Sequence, residues 1–216
     1  NFKPLRKNIL FKSMEYIHEE RNVLPKTFCR ELIEKFESDS RKEEGKTNNG
    51  TVSKIKIRTD LSIAHITGWG VEYNRLNDTF YIAFTKYINN LKLNIFVEEK
   101  ASIVDHIFMN PYTIRSAFQM GRYDVGGLFK WHIDDIPFDN RICNFIFYLN
   151  DHEACTEFLN GKKIKPEAGK IVFFPTTWTY AHCGQPIEKG NKYVITGFIL
   201  YKKQVTQSLP FIVTPD

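Results

Sequence analysis

Three residues of this chain could hold a metal ion and leave part of its coordination sphere open. His132 and Asp134 lie two apart in Gly126-Gly127-Leu128-Phe129-Lys130-Trp131-His132-Ile133-Asp134. On a strand, positions i and i+2 share a face, so one imidazole and one carboxylate would point the same way. His182, in Thr179-Tyr180-Ala181-His182-Cys183-Gly184, stands between two predicted strands and offers a third donor. Two His and one carboxylate on one face of an octahedron suit non-heme Fe(II), with three positions left for a co-substrate and oxygen. The same set also suits Zn(II). Lys192, ten residues after His182, tips the choice toward iron. A lysine on the inner face of a strand is costly to bury unless it meets an anion, and a dicarboxylate bridging metal and ammonium would supply one. Val194 and Thr196 would share its face.

A His-x-Asp spacing alone arises easily by chance in a chain with six histidines; a third ligand together with an inward lysine is more specific. The other histidines lack such company. His18-Glu19-Glu20 has a His-x-Glu spacing but sits in a charged stretch and reads as a solvated face. His152, between Asp151 and Glu153, reads as exposed, and His65 and His106 as structural. Cys183 beside His182 would make a nucleophile and base only if the two shared a face, which neighbours on a strand do not.

The elements that must position these residues fall into two halves. Leu24-Pro25-Lys26-Thr27 is a helix start, followed by Phe28, Leu32, Ile33 and Phe36 at helical spacing. A charged segment with Gly and Asn, from about Ser38 to Thr51, reads as a surface loop. Ile55 and Ile57 alternate as in a short strand, and Leu76, Phe80, Phe84, Tyr87 and Leu91 predict a second helix. From about Tyr112 the pattern becomes short β-rich runs: Ile114 to Met120, Leu128 to Asp134, Ile142 to Leu149, Glu157 to Ile164, Ile171 to Phe174 and Tyr193 to Leu200. Asn160-Gly161 is a hairpin signal within one of them. Short strands gathered in one half, with helices in the other, predict a sandwich or barrel supported by helices rather than a parallel α/β sheet.

The chain has 216 residues, 42% of them hydrophobic, which as a prior fits one domain, 1–216, with helical support over about 1–111 and a β-core over about 112–204. A net charge of +5 is mild and spread along the chain, so nucleic acid is permitted as a partner and not indicated. No run approaches the roughly 20 apolar residues of a membrane span, and the first residues carry no apolar signal core, so a soluble protein is expected. Cys29, Cys143, Cys155 and Cys183 are scattered, with no Cys-x-x-Cys pair. Reduced thiols in a cytoplasmic protein fit that pattern.

In the residues around the predicted ligands, the sequence resembles the Fe(II)/2-oxoglutarate-dependent dioxygenases, in particular the prolyl 4-hydroxylase-like branch. Tyr123 to Asp134 is similar to the family's Tyr-x-x-Gly-x-aromatic-x-x-His-x-Asp stretch, and Arg141 to Tyr148-Leu149-Asn150 to its following strand. Pro166-Glu167-Ala168-Gly169 through Phe173-Phe174 resembles the Pro-x-x-Gly…Phe strand, and His182…Pro186…Gly190-Asn191-Lys192 the distal end. The segments also come in the family's order. Ala154-Cys155-Thr156-Glu157-Phe158 departs from it, because the family's paired glycines are missing.

The resemblance implies a double-stranded β-helix, the jelly-roll or cupin class. It also implies that His132, Asp134 and His182 hold iron, and that Lys192 pairs with the distal carboxylate of 2-oxoglutarate. Tyr123 and Tyr148 would add phenolic hydrogen bonds, and Asn144, where relatives often carry Thr, a further contact. The implied reaction is hydroxylation of an unactivated C–H bond with O2, releasing succinate and CO2, with ascorbate as a candidate reductant. The implied substrate is a peptidyl proline, with a loop such as Ser38 to Thr51 closing over an extended peptide. A free amino acid, another small molecule or an alkylated nucleobase would use the same site. From other classes, a non-catalytic cupin-like binding module and a Zn hydrolase are the alternatives; intact ligands and Lys192 count against both.

Overall fold

A computed structural model of the chain describes residues 16–46, 54–64, 66–93, 98–109, 113–135 and 140–202. The run Arg141–Tyr148 (β8) shows how the layers arise. It is rich in apolar residues without a polar alternation, and from Cys143 to Tyr148 every residue is buried. A strand reads this way when both faces are covered. Phe145 and Phe147 point to the helices, while Asn144, Ile146 and Tyr148 point the other way.

On the helical side lie α1 (Lys26–Ser38) and α2 (Gly70–Leu93). Phe80 of α2 meets Phe145 at 4.7 Å between ring centroids, and Tyr87 stacks on Phe173 at 5.2 Å. Each such aromatic contributes about 1.5 to 3 kcal/mol by leaving water. A third helix, α3 (Glu98–Phe108), follows α2 and is not expected from the sequence. Val104 is buried but Ile103 is 55% exposed, so its apolar face is narrow and its periodicity faint.

All strand pairings are antiparallel. The larger sheet is built from β1 (His18–Glu20), β2 (Glu43–Glu44), β4 (Thr59–Ser62), β5 (Thr113–Arg115), β6 (Gln119–Tyr123), β8, β11 (Lys170–Pro175) and β13 (Lys192–Tyr201). Its order is β1-β11-β8-β13-β6-β4-β2, with β5 also on β13. The smaller sheet, β10-β9-β12-β7-β3, comprises β3 (Lys56–Ile57), β7 (Leu128–His132), β9 (Thr156–Phe158), β10 (Lys163–Ile164) and β12 (His182–Gly184). The two sheets face each other in the jelly-roll-like arrangement expected. The Asn160-Gly161 turn joins β9 to β10, with Gly161 at φ 85°.

Several expectations need correction. The first half is not only helical support, since it supplies β1 to β4. His18-Glu19-Glu20 is an edge strand on β11 rather than a solvated face, with Glu19 paired to the buried Lys170. The run Ile114 to Met120 splits in two because β13 pairs with β6 through Lys192–Thr196 and with β5 beyond Ile199. Ser116 bridges the break, bonding Phe198 through both backbone and side chain. His152 is half-buried, accepting from the Ala154 amide at 2.9 Å and bonding the Lys189 carbonyl at 3.0 Å. His65 and residues 47–51 of the expected loop lie outside the described residues. No described helix is long and apolar enough to cross a membrane.

Candidate metal and co-substrate site

The strand that carries His132 ends there, so Asp134 does not reach the site by strand alternation. Beyond β7 the chain bends, and the Asp135 amide donates to Thr176 O at 3.0 Å. A register shift between β7 and β12 adds a residue to β7: Phe129 pairs with Gly184 and His132 with His182. This bulge turns Phe129 and His132 to one side, their rings stacked at 3.6 Å. The two histidines face each other across the pairing, with ring centroids 4.3 Å apart.

His132 Nε2 lies 3.7 Å from Asp134 Oδ1, and His182 Nε2 lies 3.6 Å from Asp134 Oδ2. The three ligand atoms lie within 4.8 Å of one another. Each imidazole places Nδ1 on the carbonyl two residues earlier, Lys130 O at 2.7 Å and Tyr180 O at 3.1 Å. Those bonds leave the proton on Nδ1 and the Nε2 lone pair free, as a metal ligand requires. Burial lowers the pKa of both rings, favouring the neutral form that binds metal. Phe158 and Phe174 wall in His182. Among the described residues this is the one His/Cys/Asp/Glu group that fits a metal ion.

Asn144, expected as a co-substrate contact, lines the cavity and also holds one of the candidate ligands. Its Nδ2 donates to Asp134 Oδ2 at 2.5 Å, so the carboxylate is oriented from β8.

A cavity of about 540 Å³ runs from these ligands to Lys192. Lys192 is 2% exposed, and burial lowers its pKa to about 8. Its ammonium donates to Ala154 O at 3.2 Å, and among the described residues no carboxylate pairs with it. A buried cation in that condition fits a ligand that brings an anion. Tyr123 lines the cavity beside it, with Lys192 Nζ 4.9 Å from the ring centre. Tyr148 does not line the cavity; its hydroxyl bonds Thr156 Oγ1 at 2.8 Å, and it is Thr156 that faces the space.

The sequence reading missed one wall altogether. Lys56, Arg58 and Asp60 line the cavity, and Asp60 pairs with both cations, with Lys56 at 2.6 Å and with Arg58 at 2.5 Å. The alternation of Ile55 and Ile57 was legible, but not which face turns inward. Ile55 and Ile57 are 47% and 44% exposed, while the charged residues between and after them point inward.

Residues 118–200, which contain the three candidate ligands and Lys192, match the 2OG-Fe(II) oxygenase superfamily. No curated protein matches the chain. Among solved structures, it is similar to the viral collagen prolyl hydroxylase of Paramecium Bursaria Chlorella virus-1 in its 2OG complex, with TM-score 0.60 and 19% identity, covering 86% of this chain and 96% of that one. It is similar to a Trichoplax adhaerens prolyl hydroxylase in complex with a hypoxia inducible factor oxygen degradation domain peptide fragment, with TM-score 0.66, 15% identity and coverage of 86% and 83%. A Pseudomonas putida prolyl-4-hydroxylase matches with TM-score 0.60, 15% identity and coverage of 87% and 94%.

Proposed function

We propose that this chain, whose residues 118–200 match the 2OG-Fe(II) oxygenase superfamily, is a 2-oxoglutarate-dependent dioxygenase that hydroxylates a peptidyl proline. The observation that carries the reading is one cavity with a His-Asp-His cluster at one end and, at the other, a buried lysine with no carboxylate partner among the described residues. His132, Asp134 and His182 would hold Fe(II), and Lys192 would take the distal carboxylate of 2-oxoglutarate. Bound together, Fe(II) and 2-oxoglutarate supply oxidative decarboxylation with O2, which yields succinate and CO2. Ascorbate would keep the iron reduced.

The chain's own residues do the rest. Backbone carbonyls hold the imidazoles as neutral Nε2 ligands, and Asn144 holds the carboxylate. Tyr123 and Lys192 orient the acid, Tyr148 acting only through Thr156. Phe129, Phe158 and Phe174 keep water from the ligands. For the substrate, 540 Å³ exceeds what 2-oxoglutarate fills, and Trp131, Ile133 and Trp178, close in sequence to the ligands, are exposed apolar residues suited to an extended peptide. We propose further that 1–216 is one domain and that the protein is intracellular, in keeping with four free cysteines.

An anaerobic titration with Fe(II) and 2-oxoglutarate tests the chemistry: a visible charge-transfer band should need protein, metal and acid together, and Asp134→Ala should abolish it. Aerobic incubation with proline peptides then tests the substrate, read as the gain of one oxygen atom by mass. Succinate release stimulated by a free amino acid or an alkylated base, and not by peptides, would replace the peptide reading.

A further inference from the structure

Arg58 lies between β3 and β4, with its side chain 4% exposed inside the cavity. Its guanidinium crosses Gly121, where a Cβ atom would sit 2.9 Å from both Cζ and Nε. Glycine at that position on β6 leaves the path open. At the far end, Nη1 donates to the Tyr123 hydroxyl at 3.3 Å and Nη2 to Thr196 Oγ1 at 3.5 Å. Tyr123 and Lys192 are register partners on β6 and β13, and the two cations lie 5.5 Å and 4.9 Å from the same phenol ring.

A phenolic oxygen that accepts from a guanidinium must send its own proton elsewhere, and no described residue accepts that of Tyr123. Tyr123 lines the cavity. We infer that Arg58 is a positioning residue for the acidic co-substrate: it turns the Tyr123 O–H into the cavity, so that phenol and ammonium together meet the bound dicarboxylate. Donation from a cation also strengthens the phenol as a donor. Asp60 keeps Arg58 in place, and Lys56 completes Asp60, so the device rests on the N-terminal half while serving a site built from the β-core.

This inference rests on the 2-oxoglutarate reading, and the experiment separates the two. The dissociation constant of 2-oxoglutarate is measured from the anaerobic Fe(II) charge-transfer band for wild type, Arg58→Met, Tyr123→Phe, the double variant and Lys192→Met. Arg58→Met should fold, because Lys56 still pairs with Asp60; its thermal unfolding checks this. Arg58→Met should weaken binding roughly tenfold in the wild-type background and less than about twofold in the Tyr123→Phe background. Arg58→Lys keeps the charge for Asp60 but lacks the second N–H arm, and should lose as much as Arg58→Met. Equal losses in both backgrounds, full retention by Arg58→Lys, or no loss while Lys192→Met does weaken binding, would each overturn the inference alone. Absence of any band in wild type would overturn the reading beneath it, and the inference with it.

Discussion

The two ends of the cavity are prepared for their ligands in opposite ways. At the metal end the polar groups are largely satisfied before anything binds: both Nδ1 atoms have backbone acceptors, and Asp134 has Asn144. At the acid end, among the described residues, a buried ammonium has one carbonyl and no carboxylate, and a phenol proton has no acceptor. The metal end is held by orientation and the acid end by unmet charge. Orientation costs the empty fold little, whereas unmet charge costs it stability that only the ligand returns.

Removing a ligand should show the contrast most sharply. His182→Ala or Asp134→Ala should abolish the Fe(II)-dependent band, and if either retains it the metal end is wrongly assigned. Lys192→Met should leave Fe(II) affinity intact and weaken 2-oxoglutarate by about 2 to 5 kcal/mol, roughly 30-fold or more. The same variant should raise the stability of the ligand-free protein by on the order of 1 to 3 kcal/mol, since a buried unpaired charge is gone. Calorimetric unfolding that shows a less stable Lys192→Met would refute the unmet-charge account.

Acidity tests the same lysine without mutation. Folded Lys192 has its pKa lowered to about 8, against an ordinary 10.5. Affinity for 2-oxoglutarate should therefore be flat below pH 8 and fall about tenfold per unit above it. Between pH 8 and 10.5 the unfolded chain binds the extra proton, so this residue makes ligand-free stability rise with pH in that window. Asn144→Ala should act at the other end, lowering Fe(II) affinity by about 10- to 100-fold with 2-oxoglutarate selectivity unchanged; equal effects on both ligands would blur the division. The smallest effect belongs to Tyr148→Phe. Its hydroxyl is already spent on Thr156, so stability should fall by about 0.5 to 1.5 kcal/mol and co-substrate affinity by less than about threefold.

How much of this was legible follows from the distance over which each residue finds its partner. His132, Asp134, His182 and Lys192 are chemically distinctive and lie among strong β patterns, so residue type and spacing pointed to them. Even there, the reason given for Asp134 was incomplete: strand alternation stops at His132, and the bend beyond it, fastened to Thr176, brings the carboxylate in. Arg58 and Asp60 stood in view beside Ile55 and Ile57, but alternation alone does not say which set faces inward. In this wall the charged residues face the cavity because they pair with one another, and the isoleucines face outward.

The sequence by itself determined the candidate ligand residues, the candidate lysine at the other end of the cavity, the two main amphipathic helices and the turn at Asn160-Gly161. Each depends on residues close along the chain and on a periodicity that local backbone geometry imposes. Tertiary structure decided that Asn144 holds Asp134, that Tyr148 is turned to Thr156, and that Arg58 reaches Tyr123 across Gly121. Those contacts span 10, 8 and 65 residues of chain, and they exist only once strand register has set which side chains stand face to face.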